Sequence, residues 1–197
     1  MEMKRFLEKV ASDSPTPGGG SVSALAGALS ASLVSMVAGL SFKKSQLMKK
    51  EVEEIRKKSL MIQKRLFLAI NEDAKSYESV LKAFRLPKNT ERKRLCRNKM
   101  VQNAYKKATV IPKLVCELSI QLLKYSEILV LRGNPNAISD AGVAAFLADA
   151  ALSGGLLNIR INLGPSQDKM FTRKMNSLME QYMKKRNDLM GRILNNF

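Results

Sequence analysis

The 197-residue sequence has no histidine and no tryptophan, and only 6% of its residues are aromatic. Without histidine, the chain cannot form a Ser-His-Asp triad, a histidine general base or a histidine-ligated metal site. Acidic residues are also scarce: 17 Asp and Glu oppose 34 Lys and Arg, for a formal net charge of +17. The hydrophobic content of 45% is nonetheless too high for a disordered chain. We therefore expect one folded domain over residues 1–197 that needs no disulfide or structural metal.

Cysteine is limited to Cys96 and Cys116, and the sequence has no CxxC pair. Two isolated thiols predict small core residues of a cytoplasmic protein rather than a disulfide framework. The start of the chain is charged and lacks the apolar stretch of a signal peptide. Segment 18–42 is uncharged and long enough to span a bilayer, but its many serines and glycines favour a buried helix. We therefore expect no membrane partner.

Runs of alternating β-branched residues are absent, and helical spacing dominates the sequence. The pattern predicts an all-α bundle of about six helices with long central members. Their expected ranges are 3–11, 21–42, 47–84, 90–131 with a break or kink at Pro112, 139–163 with Ser139 as its cap, and a basic final helix.

Two of these helices consist largely of small residues, which predicts close packing at the centre of the bundle. In the second helix Gly27, Ala31, Ser35 and Gly39 recur every four positions, and alanines recur similarly in the fifth. The third helix would be roughly 57 Å long, whereas a compact chain of this length has a radius of gyration of about 16 Å. This helix must therefore break, project or be covered by a partner. We favour a partner chain and expect a homodimer.

Positive charge is concentrated in two stretches of the sequence. Residues 82–113 contain 11 basic residues and one acid, and residues 43–65 contain nine basic residues and three acids. Such a field concentrates anions: nucleic acid, an acidic membrane face, or a small polyanion such as a polyglutamylated cofactor. A solvated basic surface is the alternative. A nucleic-acid partner is disfavoured because aromatic residues are few and no recognised binding motif occurs.

One carboxylate, Asp73, falls on the apolar face of the third helix. That face otherwise holds Leu66, Ala69, Ile70, Tyr77 and Val80. A carboxylate in such a setting must pair, accept hydrogen bonds or take up a proton. A raised pKa would suit a general acid and base near neutrality. Alternatively, Asp73 caps or bridges another helix, and Tyr77 one turn later is a candidate hydrogen-bond partner.

Two further features are candidate ligand contacts. Gly18, Gly19 and Gly20 place flexible backbone before a helix N-terminus, where free N–H groups favour an anion or a carbonyl oxygen. A plain connector has the same composition. Asn158 and Asn162 lie one turn apart and could bind a heteroaromatic ring or bridge helices.

Five motifs occur in order along nearly the whole chain: SPTPGGGSVSA at 14–24, NEDA at 71–74, RLPKNT at 85–90, GNPNAISD at 133–140 and NIRINL at 158–163. In these motifs, the sequence resembles the family of formiminotetrahydrofolate cyclodeaminases and methenyltetrahydrofolate cyclohydrolases.

The resemblance implies an all-helical homodimer that acts on a folate, and we expect the stand-alone form without a formiminotransferase domain. It places the catalytic carboxylate on Asp73, and it places Asp140 and Asn158 near the pterin. The folate-binding loop falls on Pro17, Gly18, Gly19, Gly20 and Ser21. From charge and proximity to these motifs, we also expect Lys43, Lys44 and Lys88 to bind the glutamate tail, and a polyglutamylated substrate is one option.

The implied activity is that of a lyase of one-carbon metabolism, which converts 5-formiminotetrahydrofolate to 5,10-methenyltetrahydrofolate and releases ammonia. The tetrahydrofolate derivative is the substrate, and no tightly bound cofactor or metal is expected. Three alternatives stay open at this point: methenyltetrahydrofolate cyclohydrolase activity, nucleic-acid binding, and a catalytically silent helical scaffold.

Overall fold

The computed structural model describes residues 2–42, 45 and 47–197, and these form an all-α bundle, as the sequence predicts. A 3₁₀ turn, Pro135–Ala137, precedes the sixth helix. The helices are α1 (Met3–Val10), α2 (Gly19–Leu40), α3 (Lys49–Phe84), α4 (Glu91–Ala108), α5 (Val110–Arg132), α6 (Ile138–Leu163) and α7 (Lys169–Leu194).

The two small-residue helices, α2 and α6, form the centre of the bundle. They run antiparallel: Gly19 at the start of α2 lies near Asn158 on α6, while Ser30 donates a hydrogen bond to the carbonyl of Ala144 at 2.7 Å. The row of alanines on α6 is fully buried, as the sequence predicts: Ala141, Ala144, Ala145, Ala148 and Ala151. A side chain on Gly27 would lie 2.8 Å from Leu66, so α3 also approaches the α2 backbone closely.

The predicted fourth helix is two helices, α4 and α5, which are separated at Thr109 rather than kinked at Pro112. Pro112 has no N–H group and cannot donate to the carbonyl of Ala108 four residues earlier. The side-chain amide of Asn162 donates to that carbonyl instead, at 3.0 Å. The break therefore falls where proline leaves a carbonyl without its helical partner, and α6 supplies the replacement donor.

Two other local predictions are wrong. Ser139 does not cap α6, because the helix begins one residue before it, at Ile138. The side chain of Asn134 instead accepts a hydrogen bond from the backbone N–H of Asn136 and caps the 3₁₀ turn that leads into α6. Cys96 is exposed on α4 rather than buried, whereas Cys116 is a core residue. The long helix α3 continues unbroken over its 36 residues.

Two segments, Gly19–Leu40 and Pro135–Leu163, are long and apolar enough to cross a membrane. About half of each is buried inside the bundle, and core helices of packed bundles have the same length and composition. Their exposed halves carry the large apolar residues Val22, Leu29, Met36, Phe146 and Leu157.

We predict opposite effects on stability for two glycine-to-alanine variants. A Cβ at Gly155 would lie 2.6 Å from the Cys116 sulfur and 3.0 Å from the carbonyl of Pro112, so Gly155→Ala should lower the free energy of unfolding by about 1–3 kcal/mol. A Cβ at Gly191 meets nothing within 4 Å, so Gly191→Ala should raise it by about 0.5–1 kcal/mol. Urea unfolding of both variants is the test, and equal effects would contradict the close packing of α5 against α6.

Candidate active site

A cavity of about 550 Å³ opens where the loop before α2 meets the middle of α3, the end of α4 and the end of α6. Its polar lining comes mostly from α3 and α6, while the loop contributes backbone. The lining residues are Pro15, Thr16, Gly18, Gly19, Gly20, Asp73, Ser76, Tyr77, Val80, Tyr105, Ala108, Asn158, Ile161, Asn162, Gly164 and Pro165.

Asp73 lies in the cavity wall on the face that its sequence position predicts. Leu66, Ala69 and Ile70 of that face are buried, and Val80 is only 5% exposed. The hydroxyl of Ser21 lies 3.1 Å from Oδ2 of Asp73 and donates to it. Burial raises the pKa of Asp73 above its usual 3.8, and hydrogen bonds from the side chain and backbone of Ser21 oppose that shift. The carboxyl group is therefore closer to the pKa range of a general acid and base than an exposed aspartate.

The glycine loop makes room for this carboxylate. A Cβ at Gly20 would lie 2.2 Å from Oδ1 of Asp73, which no side chain can tolerate. Gly20 and Ser21 belong to the first turn of α2, where backbone N–H groups lack helical acceptors. Asp73 thus both bridges to the N-terminus of α2 and lines the cavity, so the two interpretations of this residue are compatible.

Ser21 connects Asp73 to the backbone of α3. Its fully buried hydroxyl also lies 2.9 Å from the carbonyl oxygen of Ile70, to which it donates. A hydroxyl has one proton, so it can donate to the Ile70 carbonyl or to Asp73 at any moment. When Asp73 is protonated, it can itself donate to the Ser21 oxygen, which leaves the serine proton for Ile70. The pair can therefore hold either protonation state of Asp73 without an unpaired group.

The two asparagines of α6 differ in what they bind. Nδ2 of Asn158 donates to the carbonyl of Gly154 at 2.8 Å, which orients the amide while the residue lines the cavity. Asn162 also lines the cavity but bridges to α4 through Ala108. Asp140 lies in the first turn of α6, 18 residues before Asn158 and thus roughly 27 Å away along the helix axis. The structure does not bring Asp140 to this cavity within one chain.

The other sequence-predicted site residues are distributed as follows. Gly18, Gly19 and Gly20 line the cavity, whereas Pro17 does not. Lys88 is exposed in the connection between α3 and α4 and does not line the cavity. Lys43 and Lys44 lie outside the described residues. Among the residues that the structure describes, Tyr77 makes no hydrogen bond to Asp73, because Ser21 occupies that role; Tyr77 instead lies on the cavity wall, 41% exposed.

The sequence pattern does not indicate the cavity wall that α4 contributes. Tyr105 and Ala108 lie there, and Ser76, Ile161, Gly164 and Pro165 extend the lining from other elements. Helix α4 is rich in charged residues, and its polar and apolar residues are distributed almost evenly around the helix. No apolar stripe therefore marks Tyr105 as a residue of a cavity wall. Gly164 and Pro165 are typical of a helix end, but nothing in this pair of residues indicates a ligand contact.

The site combines one partly desolvated carboxyl group with two tyrosine rings, an oriented amide and glycine backbone. Such a lining can hold a flat heteroaromatic ring and exchange a proton with it. Within residues 2–42, 45 and 47–197, no group of three or more Cys, Asp and Glu side chains is arranged to hold a metal ion.

Comparisons with known proteins match nearly the whole chain. The family described as "Formiminotransferase-cyclodeaminase" matches residues 2–181. The chain is 36% identical to a methenyltetrahydrofolate cyclohydrolase of Methylorubrum extorquens, over 86% of this chain and 82% of that protein. It is 30% identical to the formimidoyltransferase-cyclodeaminase of Rattus norvegicus, over 87% of this chain but only 32% of that protein. The crystal structure of formiminotetrahydrofolate cyclodeaminase from Thermotoga maritima superposes with a TM-score of 0.89 at 29% identity, covering 100% of this chain and 95% of that one.

We predict that Ser21→Ala raises the pKa of Asp73, because the hydroxyl that donates to its carboxylate is lost while the burial remains. Ser30→Ala is the matched control: Ser30 is an equally buried serine of α2 that donates across to a backbone carbonyl, without a carboxylate partner. The measurement is a carbon-detected NMR titration of the aspartate carboxyl groups. An unchanged or lowered Asp73 pKa in Ser21→Ala would contradict the assigned hydrogen bond.

Proposed function

Because the chain belongs to the formiminotransferase-cyclodeaminase family, we propose that the cavity beside Asp73 binds a reduced folate and that the enzyme converts 5-formiminotetrahydrofolate to 5,10-methenyltetrahydrofolate with release of ammonia. The observation that carries the proposal is a carboxyl group of raised pKa in the wall of a cavity of about 550 Å³. A volume of this order is typical of small-molecule sites.

The proposed reaction needs proton transfer and orientation. N10 of the folate attacks the carbon of the protonated formimino group and forms a tetrahedral intermediate. Asp73 in its ionised form takes the proton that N10 loses. It then returns this proton to the amino nitrogen of the intermediate, the carbon–nitrogen bond breaks, ammonia leaves, and the double bond of the methenyl group forms.

The protein's part in this reaction follows from the site. The reacting nitrogen is already tethered beside the formimino carbon, so the enzyme must hold the folate in a reactive conformation. Tyr77 and Tyr105 line the cavity and supply aromatic surface for the flat pterin and aminobenzoyl groups, and Asn158 supplies an amide for a pterin edge. Proton transfer by a positioned side chain typically contributes about 10²–10⁴-fold in rate.

Methenyltetrahydrofolate cyclohydrolase activity is the second candidate, and the 36% identity to the Methylorubrum extorquens protein favours it. In that reaction water adds to the methenyl carbon, Asp73 takes a proton from the water, and N5 leaves with a proton as the ring opens to the 10-formyl product. One proton is released overall. Both candidates use the same carboxyl group at the same carbon atom.

Separate assays with 5-formiminotetrahydrofolate and 5,10-methenyltetrahydrofolate distinguish the candidates. The cyclodeaminase produces methenyl absorbance and ammonia from the first substrate. The cyclohydrolase removes the absorbance of the second, above the rate without enzyme and without producing ammonia. Turnover of neither substrate would overturn the proposal.

We predict that Asp73→Asn lowers kcat at least about a hundredfold, because the amide cannot exchange the proton. Asp188→Asn, at an exposed position on α7, is the control and should keep full activity. The Asp73→Asn variant should still fold.

Because the pKa of Asp73 is raised in the folded state, the stability that this group contributes is present at low pH. It is lost as the pH rises from 3.8 through the raised pKa.

At neutral pH, Asp73→Asn removes the cost of burying an ionised carboxylate. The variant should therefore unfold at the same or a higher urea concentration than the original protein. Full activity in Asp73→Asn would exclude the assigned role. An inactive Asp73→Asn variant with the circular-dichroism spectrum of an unfolded chain would also contradict the prediction, because the variant is expected to be inactive and folded.

For the quaternary structure, we propose a homodimer formed through an apolar face of α2 and α6. On α2, Val22, Leu29 and Met36 are 39–43% exposed at intervals of seven residues. On α6, the face continues with Val143, Phe146, Leu157 and Ile161, which are all about half exposed or more. Because α2 and α6 pack antiparallel through Ser30 and Ala144, their exposed rows lie side by side.

A second copy of the chain suits this face because of charge. Each copy has a formal charge of +17, so two copies repel through most of their surfaces. Helix α2 carries no charged residue at all, and the one acid in the middle of α6, Asp149, is paired with Arg186. Contiguous exposed apolar residues on two adjacent helices are typical of interfaces between protein chains.

We predict that Leu29→Lys, which places a charge at the centre of this face, converts the dimer to a monomer of 21.9 kDa. The control is Leu95→Lys, which changes an equally apolar residue that is 63% exposed on α4 and should leave the dimer intact. Sedimentation equilibrium measures both masses. A monomeric original protein, or a dimer that tolerates Leu29→Lys, would contradict the proposed interface.

A further inference from the structure

Two amide side chains, those of Asn158 and Asn162, lie one turn apart on the α6 wall of the cavity. A backbone carbonyl fixes the orientation of each amide. Nδ2 of Asn158 donates to the carbonyl of Gly154 at 2.8 Å. Nδ2 of Asn162 donates to the carbonyl of Ala108 at 3.0 Å. Because both nitrogen atoms are engaged with the protein, the amide oxygens are the atoms left to meet a ligand.

The two amide oxygens have no hydrogen-bond donor of their own. Among the residues that the structure describes, no group donates to Oδ1 of Asn158 or of Asn162. Both residues are half-buried, and both oxygens remain accessible to solvent. Side chains one turn apart on a helix have Cβ atoms about 5–6 Å from each other. The α6 wall thus presents a spaced pair of hydrogen-bond acceptors to whatever fills the cavity.

The asparagines lie across the glycine loop from Asp73. A Cβ at Gly20 would lie 2.2 Å from the carboxylate of Asp73. A Cβ at Gly19, the preceding residue, would lie 4.0 Å from Nδ2 of Asn158. Asn162 lies one turn further along α6. A flat ring system whose reacting nitrogen lies at Asp73 therefore directs its opposite edge toward the two amide oxygens.

The hydrogen-bonding pattern of that edge depends on the oxidation state of the pterin. N8 lies opposite N5 in the same ring, and the 2-amino group lies beyond N8 with the acceptor N1 between them. In a reduced folate N8 carries a hydrogen, so the edge has two donors. In a fully oxidised folate N8 is a bare acceptor. Two protein acceptors therefore match the reduced edge, whereas the oxidised edge sets a lone pair against one of them.

We infer that Asn158 and Asn162 select the reduced state of the folate by accepting hydrogen bonds from N8–H and from the 2-amino group, respectively. This inference rests on the proposed function, since it requires a pterin whose one-carbon group lies at Asp73. The remaining N–H of either amide can donate to N1. A site whose polar groups are paired by the correct ligand rejects an analogue that leaves one of them unpaired.

The test compares the dissociation constants of folic acid and 7,8-dihydrofolic acid, measured by isothermal titration calorimetry in the absence of oxygen. Both ligands lack a one-carbon group, and dihydrofolic acid has additional hydrogens only at N8 and C7. The original protein should bind dihydrofolic acid at least about tenfold more tightly. Asn158→Ala removes the acceptor assigned to N8–H and should bind the two ligands about equally.

Two further variants serve as controls. Asn158→Asp keeps an oxygen at this position and should keep the preference for dihydrofolic acid. Ser76→Ala changes another half-buried polar residue of the cavity wall, on α3, and should keep the preference as well. Asn162 stays unchanged in every variant, because its amide also bonds the Ala108 carbonyl that Pro112 leaves without a helical donor.

The outcomes separate this inference from the proposed function. Turnover of neither 5-formiminotetrahydrofolate nor 5,10-methenyltetrahydrofolate by the original protein overturns the proposed function. Turnover of either one, together with equal binding of folic acid and dihydrofolic acid, overturns the selection of the reduced state alone. A preference that Asn158→Ala retains, that Asn158→Asp loses, or that Ser76→Ala loses as fully as Asn158→Ala would also overturn the role of the asparagines.

Discussion

The contact between Asp73 and the first turn of α2 is the constraint around which the site is built. A carboxylate in a largely apolar wall needs hydrogen-bond donors, and a helix N-terminus has unpaired ones. Gly20 leaves the space that the carboxylate fills, and Ser21 supplies a hydroxyl from beneath it. The result is a carboxyl group that hydrogen bonds hold in place and that remains partly desolvated. Proton transfer needs both properties: a fixed position and a raised pKa.

The small residues of α2 and α6 serve this contact as much as they serve the core. Because Gly27 allows Leu66 close to the α2 backbone, α3 lies near enough for Asp73 to reach Gly20 in the first turn of α2. The hydroxyl groups of three serines on α2 donate hydrogen bonds to backbone carbonyl oxygens, so the tight packing leaves no unpaired hydroxyl at Ser21, Ser23 or Ser30. A bundle with larger side chains at these positions would place α3 further away and open the site to water.

Much of this arrangement could be predicted from the sequence, and the exceptions have physical causes. The periodicity of α3 identified Asp73, and the glycine run identified the loop that lies against it, because each signal is local to one element. Tyr105 and Ala108 could not be predicted, because their contribution depends on how α4 packs against α3 and α6. Asp140, expected near the pterin, lies at the opposite end of α6 from Asn158, because 18 residues of one straight helix separate them in the same chain.

The break between α4 and α5 links two positions that are 50 residues apart. Pro112 deprives the carbonyl of Ala108 of its helical donor, and the amide of Asn162 replaces it. A chain with a backbone donor at 112 would have no need of an amide at 162, while a chain that keeps proline must keep a donor there. Loss of the amide at 162 is thus expected to be tolerated only where position 112 has a backbone N–H, so a residue in the core limits which side chains can occupy this part of the pocket.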